Sequence, residues 1–345
     1  MPEVSETWGI RVASSPQHGA GHMKRCLALA AQLTGGVRFF LDCDLWAETA
    51  RQRGFNVEVE GSPCLSERAV GALRDNRLRG LIFDGYELRA EDGLSAMDIG
   101  CVVHLDDGVA SFPAHCKINP ASSPRLGEPC SQRVLGGLEH ALLDHSFVAA
   151  NERARVNPKS KTKNGRHLLI SMGARDSKNV TATVLDVCRD LHCLEGVRVI
   201  LGAHADHLDA VQKQVAEINQ ASLVVDCQDM IAEYEQADLA LGAGGISLLE
   251  RLCCGLPSLI IAQSDNQQGN VKTAMEAGAI AFLGESEQLK PSDIRTRVET
   301  LARSETVRAE MRAAGLNLVD GRGAARAGAS LQRVLEDHEN GRLSI

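Results

Sequence analysis

A glycine-rich loop near the amino end carries a histidine that could move a proton. Residues 14–22 follow a β-branched stretch and precede helical periodicity over residues 23–33. A glycine loop between a strand and a helix can bind anions, because free backbone N–H groups and the positive helix end converge there. His22 adds a side chain that exchanges protons near neutral pH. The loop predicts a proton-transfer site, with a helix-end contact of His22 as the plainer alternative.

The same loop departs from the dinucleotide-binding fingerprint. Its spacing is Gly19-x-Gly21-x-x-Lys24, so a lysine stands where the third glycine of that fingerprint belongs. Asp42, at the end of the second predicted strand, stands where a ribose-binding acid would be. An NAD-dependent oxidoreductase stays open as an interpretation, and Lys24 weakens it.

A second glycine-rich loop, at residues 242–247, precedes a predicted helix in the carboxyl-terminal half. Gly244 and Gly245 would let a phosphate approach the backbone closely. Ser247 could cap the helix while its hydroxyl meets the ligand, and Glu250 lies near the predicted helix start. The segment predicts a diphosphate site. The alternative is a tight strand-to-helix turn in which Glu250 favours the helix dipole.

Other polar or glycine residues follow predicted strands at several places. Ligands of open α/β sheets bind beyond the carboxyl ends of the strands, which makes such residues candidates for binding. Asp and Gly are also common in turns for conformational reasons, so no single pair decides the matter. The candidates are Asp84 and Tyr86, Asp107 after Asp106, Gly173, and Asn266 with Gln267.

Short β-branched stretches alternate with helical patterns along the chain, which predicts an α/β protein with parallel sheets flanked by helices. A length of 345 residues favours two domains. A polar, basic stretch with Pro158 and Gly165 indicates the connector. We predict an amino-terminal Rossmann-like domain over 1–155, a linker over 156–166, a nucleotide-binding Rossmann-like domain over 167–320, and a helix and tail over 321–345.

The composition excludes several classes of function. A net charge of −8 disfavours nucleic acid as a partner, because such binding relies on neutralising phosphates. No apolar stretch is long enough to cross a bilayer, and the amino end lacks the features of a secretory signal, so we expect a cytoplasmic protein without a membrane partner. The 11 cysteines form no C-x-x-C pair and are expected to be reduced thiols.

Taken in order, these motifs resemble those of the UDP-2,4-diacetamido-2,4,6-trideoxy-β-L-altropyranose hydrolases of pseudaminic acid biosynthesis, over roughly residues 11–284. The matching segments are Gly19-Ala20-Gly21-His22 with Arg25 (G-x-G-H-x-x-R), Asp84-Gly85-Tyr86 (D-x-Y), Asp106-Asp107 (D-D), Ile170-Ser171-Met172-Gly173 (I-S-x-G), Gly244-Gly245 with Glu250 (G-G-S-T-x-x-E), and Asp265-Asn266-Gln267 (D/x-N-Q).

The resemblance implies two Rossmann-like domains facing a cleft, as in the related GT-B glycosyltransferases. It implies that water cleaves the anomeric C–O bond of a UDP-sugar with inversion, and that no metal or other cofactor takes part. It assigns His22 as the catalytic base and Asn266 as a residue near the sugar. The diphosphate site would comprise Gly244, Gly245, Ser247 and Glu250, and we expect a monomer.

Some positions depart from the family pattern. Ala13 replaces an Asp, Ala174 and Arg175 replace a Gly-Ser pair, Ile246 replaces the Ser of G-G-S-T, and His140 stands where an aromatic residue is usual. These departures leave the sugar open. They also keep two alternatives in view, a glycosyltransferase that uses a UDP-sugar donor and a non-catalytic nucleotide-sugar-binding protein.

Overall fold

The computed structural model describes residues 6–15, 20–61, 64–75, 77–85, 88–106, 112–121, 131–156 and 166–343. The chain forms two compact units. The first comprises Met1–His145 and Arg322–Ile345, and the second comprises Ser146–Gly321. Each unit contains one parallel sheet flanked by helices, so the predicted fold class is confirmed.

The first unit is built on a seven-stranded sheet. Its strands are β1 (Glu6–Val12), β2 (Gly36–Leu41), β3 (Asn56–Val59), β4 (Gly80–Asp84), β5 (Cys101–Leu105), β6 (Ala114–Asn119) and β7 (Ser131–Gly136). Its helices are α1 (Gly21–Ala30), α2 (Ala47–Gln52), α3 (Cys64–Arg74), α4 (Ala90–Met97) and, from the end of the chain, α13 (Gly323–Glu339). The strand order is β3-β2-β1-β4-β5-β6-β7. The order therefore reverses between β1 and β4, and such a reversal opens a ligand crevice at the carboxyl ends of the two strands.

The sequence patterns do not predict three strands of this sheet, β3, β6 and β7. β3 is an edge strand in which polar and apolar residues alternate and none is fully buried, and β7 is the opposite edge. β6 is wholly buried although His115, Lys117 and Asn119 interrupt its apolar residues. Neighbouring polar groups satisfy these side chains in part: the His115 ring accepts the N–H of Val102 at 3.0 Å. A hydrophobicity pattern cannot reveal such compensation, because it depends on the adjacent strand.

The second unit is built on a six-stranded sheet. Its strands are β8 (His167–Ser171), β9 (Gly196–Leu201), β10 (Ala221–Val225), β11 (Leu239–Ala243), β12 (Ser258–Ala262) and β13 (Ile280–Glu285). Its helices are α5 (Ser146–Val156), α6 (Val180–Cys188), α7 (Leu208–Ala216), α8 (Met230–Gln236), α9 (Ile246–Cys253), α10 (Gln268–Glu276), α11 (Pro291–Arg303) and α12 (Glu305–Leu318). The order is β10-β9-β8-β11-β12-β13, which reverses between β8 and β11.

The units divide between His145 and Ser146, ahead of the predicted linker at 156–166. The reason is that α5 packs within the second unit. Asn151 donates hydrogen bonds to the carbonyl oxygens of Cys253 at 2.9 Å and Val319 at 3.0 Å. Composition indicates where a chain is exposed, but it does not show which unit a preceding helix joins.

The carboxyl-terminal helix α13 returns to the first unit. Its residues Ala327, Leu331 and Val334 are fully buried and share the core of that unit with Leu27 of α1. Glu339, the last residue of α13, forms an ion pair with Arg79. The predicted amphipathic helix after residue 321 therefore completes the helical layer that also contains α1.

Within the described residues, no helix is long and apolar enough to span a bilayer. The same residues hold no group of three or more His, Cys, Asp or Glu side chains arranged to bind a metal ion. The described cysteines include nine free thiols, six of them buried, namely Cys26, Cys101, Cys116, Cys188, Cys253 and Cys254.

Candidate functional site

His22 lies against a buried carboxylate at the point where the strand order of the first sheet reverses. It is the second residue of α1, which follows β1, and Asp84 is the last residue of the neighbouring strand β4. Nδ1 of His22 is 2.6 Å from Oδ1 of Asp84. The side chains are 4% and 0% exposed. Sheet topology thus joins two residues that stand 62 positions apart in the chain.

The first turns of α1 present three side chains to this carboxylate. His22, Arg25 and Cys26 have the i, i+3 and i+4 spacing that places residues on one face of a helix. Arg25 donates from Nε to Oδ2 of Asp84 at 2.7 Å and from Nη2 to Oδ1 at 2.5 Å. The thiol of Cys26 donates to Oδ2 at 3.1 Å. Both carboxylate oxygens are therefore held by donors from α1.

The charge of Asp84 determines which nitrogen of His22 carries the proton. Burial would raise the pKa of Asp84, but Arg25 and His22 outweigh burial and hold that pKa well below its usual range. An ionised carboxylate only accepts hydrogen bonds, so the bond to Asp84 requires a proton on Nδ1 of His22. Nη2 of Arg25 lies 3.1 Å from the same Nδ1, and because both nitrogens are then donors, this Nη2 donates to Asp84 and not to the ring. A neutral ring then has its lone pair on Nε2. This is the protonation state that a general base needs.

The remaining predicted residues of the first unit are placed differently. Arg25 and Asp84, predicted as ligand contacts, bind each other and His22 in the structure. Gly21 is the first residue of α1. Gly19, Tyr86 and Asp107 lie outside the described residues. The sequence patterns do not predict the pairing of His22 with Asp84, although the i, i+3 spacing of His22 and Arg25 indicates that both side chains can meet one partner.

The carboxylate of Asp42 accepts hydrogen bonds from within the protein, at the position where a ribose-binding acid was expected. Its Oδ1 accepts the backbone N–H of Ser14 at 2.7 Å and the hydroxyl of Ser14 at 2.5 Å. The carboxylate thus ties the end of β1 to the end of β2. This contact gives Asp42 a structural task and further weakens the dinucleotide interpretation of the loop.

The glycine loop of the second unit joins β11 to α9, beside the reversal between β8 and β11. The backbone N–H of Gly244 donates to Oε1 of Gln267 at 3.0 Å. A Cβ on Gly244 would lie 2.5 Å from Cγ2 of Val271, so packing requires glycine there. A Cβ on Gly245 would meet only Nε2 of Gln267, at 3.8 Å. Apart from Nε2 of Gln267, no atom of the described residues lies within 4 Å of that Cβ position, so the space beside Gly245 is open.

Two predictions about this loop need correction. Ser247 does not cap the helix, because α9 begins at Ile246 and Gly245 takes the capping position. Glu250 lies beyond the first turn of α9, so the alternative in which it favours the helix dipole is not supported. Glu250 is 4% exposed and accepts a hydrogen bond from the hydroxyl of Tyr234 at 2.7 Å.

The segment after β12 contacts the glycine loop. Oε1 of Gln267 also accepts the N–H of Gln263 at 3.1 Å, so one amide oxygen links the ends of β11 and β12. Asn266 accepts a hydrogen bond from the hydroxyl of Ser264 at 2.5 Å. Gly173, just after β8, has φ +92° and no atom within 4 Å of a built Cβ. These predicted residues all follow strands at the carboxyl edge of the second sheet.

Comparison with known proteins adds sequence and fold relatives. No protein-family model matches the chain. The chain is 29% identical over 206 residues to the spore coat polysaccharide biosynthesis protein SpsG of Bacillus subtilis, a match that covers 59% of this chain and 59% of SpsG. The aligned part of the chain thus spans about three fifths of that relative.

Solved structures share the fold along nearly the whole chain. MurG of Acinetobacter baumannii superposes with a TM-score of 0.67 at 16% identity, covering 95% of this chain and 99% of MurG. The UDP-GlcNAc 2-epimerase of Neisseria meningitidis, solved with UDP-GlcNAc bound, gives 0.64 at 12% identity and covers 95% and 100%. The chain therefore shares the fold of these two structures, and in sequence it is similar to SpsG.

Proposed function

We propose that this protein is a hydrolase that releases UDP from a UDP-linked 2,4-diacetamido-2,4,6-trideoxy sugar. The observation that carries the proposal is the hydrogen bond between Nδ1 of His22 and the ionised carboxylate of Asp84. It supports His22 as a base at the carboxyl ends of β1 and β4, where open α/β sheets bind ligands. The order of the sequence motifs and the similarity to SpsG support the choice of a sugar nucleotide.

In the proposed reaction, a water oxygen attacks the anomeric carbon from the face opposite the phosphate. Nε2 of His22 accepts a proton from that water, and the anomeric C–O bond breaks with its electron pair on UDP. Asp84 stabilises the imidazolium that forms. UDP is a good leaving group, so a second carboxylic acid of the kind that glycosidases use is not required. The configuration at the anomeric carbon inverts, and Asn266 is proposed to lie near the sugar.

We propose that the Gly244–Gly245 loop binds the diphosphate of a UDP-sugar. The open space at Gly245 and the amino end of α9 support this role, because N–H groups at a helix start attract anions. Gly173, Ser247, Glu250 and Gln267 are proposed as further contacts to the nucleotide sugar. In the first unit, Gly19, Gly21, Tyr86 and Asp107 are proposed as substrate contacts.

Gly245→Val should weaken UDP binding by at least about tenfold, which corresponds to about 1.4 kcal/mol. Gly245 has φ −79° and ψ −150°, and a Cβ there meets no close protein atom, so the ligand-free protein should tolerate the change. The loss would come from exclusion of the diphosphate. Titration calorimetry with UDP measures it. Gly71→Val is the matched control, since a Cβ on Gly71 also meets nothing within 4 Å. Equal UDP affinity of the two variants would contradict the placement.

The activity itself is tested by NMR of the UDP-sugar incubated with the protein and no acceptor. We expect free sugar and UDP to appear together, with the first-formed anomer inverted relative to the substrate. Cleavage that requires an added acceptor would indicate a glycosyltransferase instead. UDP binding without cleavage of any UDP-sugar in a panel of N-acylated substrates would indicate a binding protein.

A further inference from the structure

A buried arginine directly follows Glu250 on α9 and has no assigned task. Arg251 is 0% exposed. Among the described residues its guanidinium makes one hydrogen bond, from Nη2 to the carbonyl oxygen of Ala243 at 2.7 Å, while Nε and Nη1 have no partner. Burial lowers the pKa of Arg251. Burying a cation with so few hydrogen bonds lowers the stability of the folded protein. Arg251 is therefore expected to have a role that offsets this cost.

The carbonyl that Arg251 holds belongs to the first peptide of the glycine loop. In a trans peptide the C=O and N–H groups point in opposite directions, so fixing one fixes the other. Arg251 holds the oxygen of the Ala243–Gly244 peptide, and Oε1 of Gln267 accepts its N–H at 3.0 Å. Both the C=O and the N–H group of this peptide are therefore hydrogen-bonded to side chains. A charged donor on the carbonyl also strengthens the N–H as a donor, because linked hydrogen bonds polarise one another.

This arrangement determines where the amide nitrogen of Gln267 lies. Oε1 accepts the N–H groups of both Gly244 and Gln263, so the atom in that place must be the oxygen. Nε2 is then the other end of the amide. It lies 3.8 Å from the position that a Cβ on Gly245 would take. An N–H donor of Gln267 is therefore presented beside the open space of the glycine loop.

We propose that Arg251 is a positioning residue of the diphosphate site, acting through the Ala243–Gly244 peptide to hold Gln267 with Nε2 directed to the bound anion. This inference rests on the proposed function, in which the loop binds the diphosphate of a UDP-sugar. The negative charge of the diphosphate also compensates the buried guanidinium. Gly242 belongs to the arrangement, because a Cβ there would lie 2.7 Å from Nη1 of Arg251.

The test compares Arg251→Met with the wild-type protein. UDP should bind about 10-fold to 100-fold more weakly, the effect expected when a charge-assisted hydrogen bond is lost. The rise of the thermal midpoint on adding UDP should shrink accordingly. Arg251→Lys keeps the positive charge and one donor nitrogen, so its affinity for UDP should lie between those of Arg251→Met and the wild type. A second readout needs no ligand: amide hydrogen exchange at Gly244 should be faster in Arg251→Met, since the peptide is no longer held at its carbonyl.

Arg308→Met is the matched control. Arg308 is also a buried arginine of the second unit and donates to the carbonyl oxygens of Leu301 at 2.7 Å and Ala302 at 2.6 Å, on α11. Its loss should lower the thermal midpoint but leave UDP affinity within about twofold of the wild type, since these two carbonyl oxygens lie on α11 and not in the glycine loop.

The possible results separate this inference from the proposed function. Wild-type UDP affinity in Arg251→Met, or an equal loss in Arg308→Met, would overturn the inference and leave the hydrolase proposal standing. If the wild-type protein does not bind UDP, the proposed function and the diphosphate role of Arg251 fall together. Exchange at Gly244 would then still decide whether Arg251 holds the peptide, and unchanged exchange would reject that part as well.

Discussion

His22→Asn is expected to lower kcat for UDP-sugar hydrolysis by about 10²-fold to 10⁴-fold, the usual size of general-base assistance. Asparagine preserves part of the volume and one hydrogen bond, but it cannot take a proton from water near neutral pH. UDP binding should stay nearly unchanged, because the diphosphate contacts are proposed to lie in the second unit. Initial rates from NMR or a coupled UDP assay, together with calorimetric UDP affinity, provide the measurement.

The control for this variant is His115→Asn. His115 is also a buried histidine of the first unit, and its Nδ1 accepts the N–H of Val102 at 3.0 Å. Loss of part of the buried ring should lower the thermal midpoint without changing kcat of the folded protein by more than about twofold. An unchanged kcat in His22→Asn, or an equal loss of kcat in both variants, would remove His22 from the mechanism.

Asp84→Asn is expected to reduce both stability and turnover. The change leaves Arg25 without its buried counter-ion, and breaking a buried ion pair in this way typically costs about 3–5 kcal/mol. The amide also no longer demands a proton on Nδ1 of His22, so the ring can adopt the tautomer with Nε2 protonated. We expect kcat to fall by about 10²-fold or more. Denaturant unfolding and initial rates measure the two effects.

The stability effect of Asp84→Asn should depend on pH in a definite direction. The pKa of Asp84 is depressed in the folded protein, so its carboxylate contributes stability above the unfolded-state pKa of about 3.9. That contribution is lost as pH falls from about 4 toward the folded-state pKa. The difference in unfolding free energy between wild type and variant should therefore be largest near neutral pH and narrow below about pH 4. If the difference in unfolding free energy is the same at every pH, the lost stability comes from the changed shape of the side chain and not from the loss of its charge.

Two comparisons sharpen the test of Asp84. Asp92 is also largely buried but pairs at 2.9 Å with the well-exposed Arg89, so Asp92→Asn should change stability by less than about 1 kcal/mol. If Asp84 acts on turnover through His22, the double variant should be no slower than His22→Asn alone. Independent, additive losses in the double variant would mean that Asp84 contributes to the reaction by another route.

Local patterns in the sequence were sufficient to predict the class of fold. Alternating strand and helix patterns indicate parallel sheets, because a parallel connection needs a crossover element between strands. The two glycine loops were also predictable as candidate sites, since a glycine-rich connection from a strand to a helix has a defined geometry. The structure bears out the parallel sheets. It places the second loop, and the described ends of the first loop at residues 14–15 and 20–22, at the carboxyl ends of strands next to the reversals in strand order.

Only the tertiary structure decided which side chains meet. Whether Asp84 lies beside α1 depends on β4 being the neighbour of β1, and strand order is not encoded in local periodicity. The same holds for Arg251, whose partner is a backbone carbonyl of the preceding strand, and for α5, which joins the second unit through Asn151. Local sequence governs backbone preferences over a few residues, whereas burial, ion pairing and protonation arise from atoms that folding brings together from distant positions.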